Sequence, residues 1–241
     1  MSETSTLISY SGKISRAELA LIPTPPATPT HVPIPHIKVV ETLVDTLSLR
    51  HIAVVAEEFA VSSDNMEMFG VLDLEPSFEG CRFAVGVRNA NNKRFRLSCT
   101  VGLRVLVCQN LAFQGDYTPV LAKHTKNFGL QDSISIGVDR MQRNFDPMRR
   151  QVEAWRTTQL SDGAAKLIIY RAFVEGQLDV PKHLVRVVHN RYFDPRHEEF
   201  APRTMWSLSN AFTSAFNELE AIPQFRATAK LGEFLEGIRV E

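Results

Sequence analysis

Between positions 82 and 104 stand six cations, Arg82, Arg88, Lys93, Arg94, Arg96 and Arg104, with no carboxylate among them; positions 57 to 79 carry acids and no lysine or arginine. Guanidinium and ammonium groups at this density neutralise phosphates, and the interleaved Phe83 and Phe95 would give unpaired bases faces to stack on if they point outward. Strand alternation offers a competing placement, with both phenylalanines beneath a sheet as core and the arginines alone facing phosphate. The plainest alternative is a charged hairpin that keeps itself soluble. A second cationic group, Lys123-His124-Thr125 followed by Lys126, suits an exposed or phosphate-contacting loop. His124 has the ordinary titration range of a general base, while the lysines beside it disfavour a bound metal cation. The residues expected to meet nucleic acid are Arg88, Asn89, Lys93, Arg94, Arg96, Lys123 and His124.

Other chemistry finds less support. The phosphate-binding GxxxxGK[ST] loop, the dinucleotide turn GxGxxG, the nucleophile elbow GxSxG and the zinc helix HExxH do not occur. His197-Glu198-Glu199 joins a base to two carboxylates, but adjacent side chains on a helix or strand diverge, so the triplet reads as a polar loop rather than one metal face. Cys81, Cys99 and Cys108 lack CxxC spacing and number three, which argues against a disulfide framework and a structural zinc site. Cys108, inside an apolar run, reads as a small packed hydrophobe. No catalytic residue, metal ligand or cofactor is assigned. An enzyme drawing Asn89, Asn110 and His124 around an anion pocket stays open, because residues distant in sequence converge in folds.

Twenty-seven Lys and Arg balance 27 Asp and Glu, so no long-range field gathers polyanions, and any such site must be local. The 241 residues, 44% hydrophobic and 22% charged, have the composition of a globular protein with a real core. No apolar run is long enough to span a bilayer, and MSETSTLISYSGK lacks the apolar region of a secretory signal. A cytoplasmic protein is the expectation.

The elements that must position these residues follow from periodicity. Residues 1–35 read as a flexible arm outside the fold, with six prolines between Leu21 and Pro35 favouring extended backbone; the arm is a candidate for docking another protein. Residues 36–241 read as one α+β domain, with a sheet-forming part over about 50–125 and a helical part over about 136–241. Ile37, Val40, Leu43, Val44 and Leu47 recur at helical spacing. Ile52 to Val61 and Met66 to Leu74 form a hairpin around Ser62-Ser63-Asp64-Asn65, and a second hairpin turns at Asn91-Asn92. These give an antiparallel sheet of at least four strands with one face covered. Val101 to Phe113 is strand or helix, with a helix from Gly102 preferred. Beyond Gly137, Met141, Phe145, Met148, Val152 and Trp155 mark a buried helical stripe in which Pro147 kinks or restarts the helix. Helices over Ala164 to Glu175, Lys182 to Asn190, around Leu208 to Leu219, and over Phe225 to Ile238 complete a mostly helical C-terminal half, with Trp155 and Trp206 as core.

The wording VGVRNANNKRF, then VCQNLAF, then KHT resembles a phage and plasmid family described as domain of unknown function 932. The likeness covers roughly residues 37–238. It is strongest at Phe69-Gly70 with Leu72, Arg88-Asn89 to Phe95, Val107 to Phe113 and Lys123-His124-Thr125, with a weaker echo at Trp206-Ser207-Leu208 and Asn210-Ala211-Phe212-Thr213. Relatives commonly carry an acid where this chain has Gln109, so a role needing a carboxylate there does not transfer. The resemblance implies an accessory protein of mobile elements acting in DNA metabolism or host defence. Joined to the basic hairpin, it gives a leading expectation of a non-enzymatic protein that binds single-stranded DNA with low sequence specificity, an arrangement compatible with a homo-oligomer. The alternative is a protein-interaction or anti-defence module.

Overall fold

In a computed structural model, residues 13–108, 111–113, 120–219 and 221–238 are described. In chain order the elements are β1 (Lys13–Ile14), α1 (Arg16–Ala20), α2 (His36–Ser48), β2 (Val54–Val61), β3 (Glu67–Phe78), β4 (Cys81–Ala90), β5 (Leu97–Val105), β6 (Leu111–Phe113), β7 (Val120–Ala122), α3 (Leu130–Thr157), α4 (Asp162–Phe173), α5 (Leu184–Phe193), a 3-10 turn at Glu198–Phe200, α6 (Met205–Phe216) and α7 (Ala221–Glu236). The fold is α+β, with an antiparallel sheet in the N-terminal half and helices concentrated in the C-terminal half. The chain divides into two compact units, residues 1–104 with 117–144 and residues 105–116 with 145–241, where a single domain is the sequence reading.

The first unit is built on the sheet, whose strands run β1-β2-β3-β4-β5 with β7 also against β5. Both expected hairpins form. In the first, Ser62 and Asp64 organise the turn: the Asp64 carboxylate accepts from the Met66 amide at 3.0 Å and the Ser62 hydroxyl oxygen from the Glu67 amide at 3.0 Å. Asn65 takes the left-handed conformation at φ 58°, which asparagine tolerates better than most residues. In the second, Asn91 and Asn92 lie between β4 and β5, and Lys93 adopts φ 67°.

Gly70 holds the close approach at the sheet centre. It pairs with Phe59 on one side and Val87 on the other, and a Cβ there would sit 2.8 Å from Phe59 Cδ1 and 3.1 Å from Val87 Cγ1. Every residue of β5 is buried, and all of β4 is buried apart from half-buried Arg82 and Arg88, so these strands are covered on both faces rather than on one. Val101 to Val105 continues β5 as strand and β6 follows, which overturns the preference for a helix from Gly102. The alternation of branched residues at Val101, Leu103 and Val105 suits a pleated surface, and ladder partners on β4 decide what a short apolar run leaves ambiguous.

α2 buries Val40, Leu43 and Leu47 of the expected stripe together with Val39, leaves Ile37 and Val44 half-buried, and packs on β2 and β4. The segment before it does not stand outside the fold. β1 pairs with β2 through Lys13↔Ala60 and Ile14↔Phe59, α1 packs on α2, and Leu19 is 1% exposed. α1 begins at a capping box in which the Ser15 hydroxyl oxygen accepts from the Glu18 amide and the Glu18 carboxylate accepts from the Ser15 amide. Most residues from Leu21 to Thr30 are exposed, so the prolines bridge two docked ends. Residues 1–12 of the expected arm lie outside the described residues.

The second unit gathers α4 to α7 around Leu160, Ile168, Phe173, Tyr192, Leu208, Phe212, Phe216 and Leu231. Ser161 and Thr204 cap α4 and α6, their hydroxyl oxygens accepting from the Ala164 and Ser207 amides at 3.1 Å each. Gly176, at φ 72°, follows α4 where the sequence places a helix stop. α3 runs through Pro147 without a break, so that proline neither ends nor restarts it. Trp206 is buried at 5% exposure, while Trp155 is a half-buried neighbour of the core. No helix among the described residues is long and apolar enough to cross a membrane.

Candidate nucleic-acid interface

The antiparallel register of β5 with β7 places two sequence-distant cationic groups side by side. Leu97 pairs with Ala122, Ser98 with Leu121 and Cys99 with Val120. Arg96 stands just before β5 and Lys123 just after β7, so both leave the ladder at the same end. Lys93, Arg94, Arg96, Lys123 and Lys126 are all exposed, so the tip of the second hairpin and the Lys123 loop present cations at one end of the sheet.

Two ordered contacts shape this end. Glu67, 4% exposed on β3, accepts from Asn92 Nδ2 at 2.8 Å and Arg94 Nη1 at 3.2 Å through Oε1. The turn is therefore tied to the neighbouring hairpin, and part of the Arg94 charge is balanced. Asp64, whose carboxyl is held below the usual range first by the Ser62 hydroxyl and then by the Met66 amide, also feels Arg94. Arg88 is half-buried; its Nε donates to Ser98 Oγ at 3.1 Å, and its guanidinium carbon lies 5.3 Å from the centre of the half-buried Phe95 ring. Phe83, by contrast, is 1% exposed and belongs to the core. Alternation separates the two phenylalanines because only Phe83 lies within a strand; Phe95 sits before β5 begins.

Asn89 and His124 do not join the exposed set. Asn89 is fully buried and donates from Nδ2 to the Ile34 carbonyl at 2.9 Å and to His36 Nδ1 at 2.8 Å. His36 is therefore an acceptor at Nδ1 and donates from Nε2 to the Asn65 carbonyl at 3.1 Å, a neutral tautomer, and burial lowers its pKa. His124 is 4% exposed and stacks on His31 with ring centres 5.3 Å apart and planes 10° from parallel. The His124 carbonyl accepts from the Val32 amide at 3.1 Å, and His31 Nε2 meets the Asn91 carbonyl at 3.0 Å. Desolvation, then the neighbouring His31 and His36, push the His124 pKa down to about 4. Neither side chain is exposed. The Asn89 side chain fastens the Ile34 to His36 segment, and His124 ties to Val32 through its main-chain carbonyl. The Asn89 amide oxygen and both His124 ring nitrogens are buried and unpartnered.

His31, His36 and Glu67 are the contributors that sequence reading missed. The two histidines fall at the end of the proline segment and the first residue of α2, and no local pattern marks them as buried. Only the pairing of β3 with β4, which sets Glu67 opposite Ala90, brings that acid to the turn. The arrangement offers cation density and a half-covered aromatic ring. His124, the candidate general base, is enclosed with its pKa lowered to about 4, and no group of three or more metal-ligating side chains occurs among the described residues. His197, Glu198 and Glu199 lie at the 3-10 turn, with Glu199 bound to Arg156 at 3.5 Å. Cys81 and Cys99 are buried, the Cys99 thiol being pushed up to about 12 by desolvation, and Cys108 is half-buried. Asn110 lies outside the described residues. No family model, curated protein or solved structure matches this chain.

Proposed function

We propose that this protein binds single-stranded nucleic acid, DNA by preference, with low sequence specificity, at the end of the sheet formed by Lys93, Arg94, Arg96 and Lys123. One observation supports the reading: Leu97 pairs with Ala122 at the end of the β5–β7 ladder, so exposed Arg96 and Lys123, the next residues along each strand, leave it at the same end although far apart in sequence. Phosphates lie along these side chains, and the Phe95 ring with the Arg88 guanidinium beside it is the platform for a base. Asn89 and His124 position that surface from below. A mobile-element accessory role in the cytoplasm joins this reading only as what the sequence resemblance implies, and binding as a homo-oligomer would extend the cationic surface along a strand.

The test is fluorescence anisotropy with labelled single-stranded and duplex oligonucleotides across a salt titration. Single strands should bind more tightly, and Arg94→Ala with Arg96→Ala should weaken binding across sequences. Two lost phosphate contacts flatten the slope of log affinity against log salt by roughly 1.4, at about 0.7 per contact for a single strand. Unchanged affinity and slope in that variant would sink the site. Binding by neither oligonucleotide form even at low salt would move the reading to a protein-docking module.

A further inference from the structure

The second unit carries a surface of the opposite chemistry, an apolar groove. α4 and its C-cap Val174 expose Leu167, Tyr170 and Val174 at 48%, 50% and 55% of their surface, steps of three and four that place them on one helical face. Tyr170 and Val174 of that stripe line a groove of about 510 Å³ together with Ile169 of α4 and Val185 of α5. The volume falls within the range of specific binding clefts, and exposed apolar surface in a continuous strip with a polar margin marks an interaction site. Its charged margin has one sign: Lys166 of α4 and Arg186 of α5 line it together with His189, and no acidic residue does.

We infer that this groove docks an acidic amphipathic α-helix of a partner protein. Two independent cues fix the occupant. The walls are themselves helices, and the span from Lys166 to Val174, eight residues at about 1.5 Å each, is roughly 12 Å or two turns, so an incoming helix seats anchors at i, i+3 or i+4, and i+7. Charge fixes its composition: carboxylates flanking those anchors meet Lys166 and Arg186, whereas a basic helix or a second copy of this same cationic margin is repelled. The stripe continues onto Leu167 outside the groove, which gives a helix more to cover than a small ligand would need. The groove belongs to the second unit and the cationic end of the sheet to the first.

Selection from a displayed library of random 16-mer peptides against the full chain tests the inference. Enriched sequences should carry net negative charge and apolar residues at helical spacing. Synthetic copies should lose tenfold or more in affinity on Val174→Asp and on the pair Lys166→Glu and Arg186→Glu, with circular dichroism of each variant unchanged. A copy with its carboxylates replaced by lysine should favour the charge-reversed variant over the parent. Enrichment of basic or unpatterned sequences, indifference to both sets of substitutions, or no enrichment would overturn it. So would sedimentation showing a dimer that Val174→Asp dissociates, since the groove would then be occupied by a second copy, or displacement of the peptide by single-stranded DNA.

Discussion

Replacing His124 by phenylalanine isolates the energetic cost of keeping an imidazole neutral beneath the cationic end. His124 is enclosed, its ring nitrogens have no partner, and its pKa falls from the ordinary 6.5 to about 4. A group whose folded pKa is depressed lends stability that is complete above its unfolded pKa and is lost as pH falls toward the folded one. The unfolded chain takes up a proton below 6.5 that the folded chain refuses until about 4. At about pH 5 the loss is RT ln[(1 + 10^1.5)/(1 + 10^−1)], or roughly 2 kcal/mol, and it levels off at about 3 kcal/mol in stronger acid. Phenylalanine retains an aromatic face for His31 and removes two buried nitrogens, so His124→Phe should be at least as stable as the parent near neutrality. Urea unfolding followed by far-UV circular dichroism, repeated between about pH 7.5 and pH 4.5, measures both proteins. Subtracting one profile from the other cancels the carboxylates and most of the contribution of His36, whose pKa is also lowered. The parent should fall by about 2 kcal/mol more than the variant by about pH 5. Parallel profiles, or an NMR titration of His124 centred at its ordinary value, would refute the enclosed neutral imidazole.

The remaining expectations concern packing. Gly70→Ala forces a methyl group against the ring of Phe59, itself 1% exposed, and should cost about 1–3 kcal/mol in urea unfolding; a neutral effect would show that β2, β3 and β4 meet less closely at this point. Arg104, 6% exposed, donates from Nε to Asp73 at 2.9 Å, with Glu58 3.7 Å away. Arg104→Ala should therefore cost about 3–5 kcal/mol by leaving a buried carboxylate unpaired, while Arg104→Met with Asp73→Leu recovers most of that loss; equal losses in the two would contradict the pairing. Leu19→Ala empties a buried site in α1 at a cost of about 2–5 kcal/mol, which loosens α1 locally, so limited proteolysis between Leu21 and Thr30 should accelerate; an unchanged rate would mean that α1 does not hold that segment.

Elements with a strong period are legible in the sequence alone. The two hairpins, α2, and the helices after Gly137 follow from alternation, turn residues and apolar stripes, because each signal lies within a dozen residues of chain. The proline-rich segment misleads for a physical reason: composition reports that Leu21 to Thr30 stays extended and exposed, but not that Leu19 on one side and His31 on the other are buried. Docking of an irregular segment depends on single residues meeting a distant surface, as when the Ile34 carbonyl takes the Asn89 amide at 2.9 Å and the Ile34 amide donates to Asn91 Oδ1 at 3.0 Å. Those bonds join positions more than 50 apart, beyond the reach of any window.

The same distinction divides the candidate interface. Its cations are legible as types, since lysine and arginine in a turn face water under almost any register. Their convergence is not, because it depends on β7 pairing with β5 rather than extending elsewhere, and three residues of strand carry little sequence signal. Asn89 and His124 mark the opposite failure. A polar residue beside a cation in sequence suggests shared exposure, yet Asn89 alternates inward from Arg88 on β4, and His124 turns beneath Lys123 onto His31. Their burial gives them a different role in the same place. They anchor the Val32 to His36 segment under the cationic end, so substitutions at Asn89 should alter nucleic-acid affinity only as far as they loosen that anchorage, with the salt slope left intact because no phosphate contact is lost. A changed slope in Asn89→Ala at unchanged stability would assign the side chain a direct contact after all.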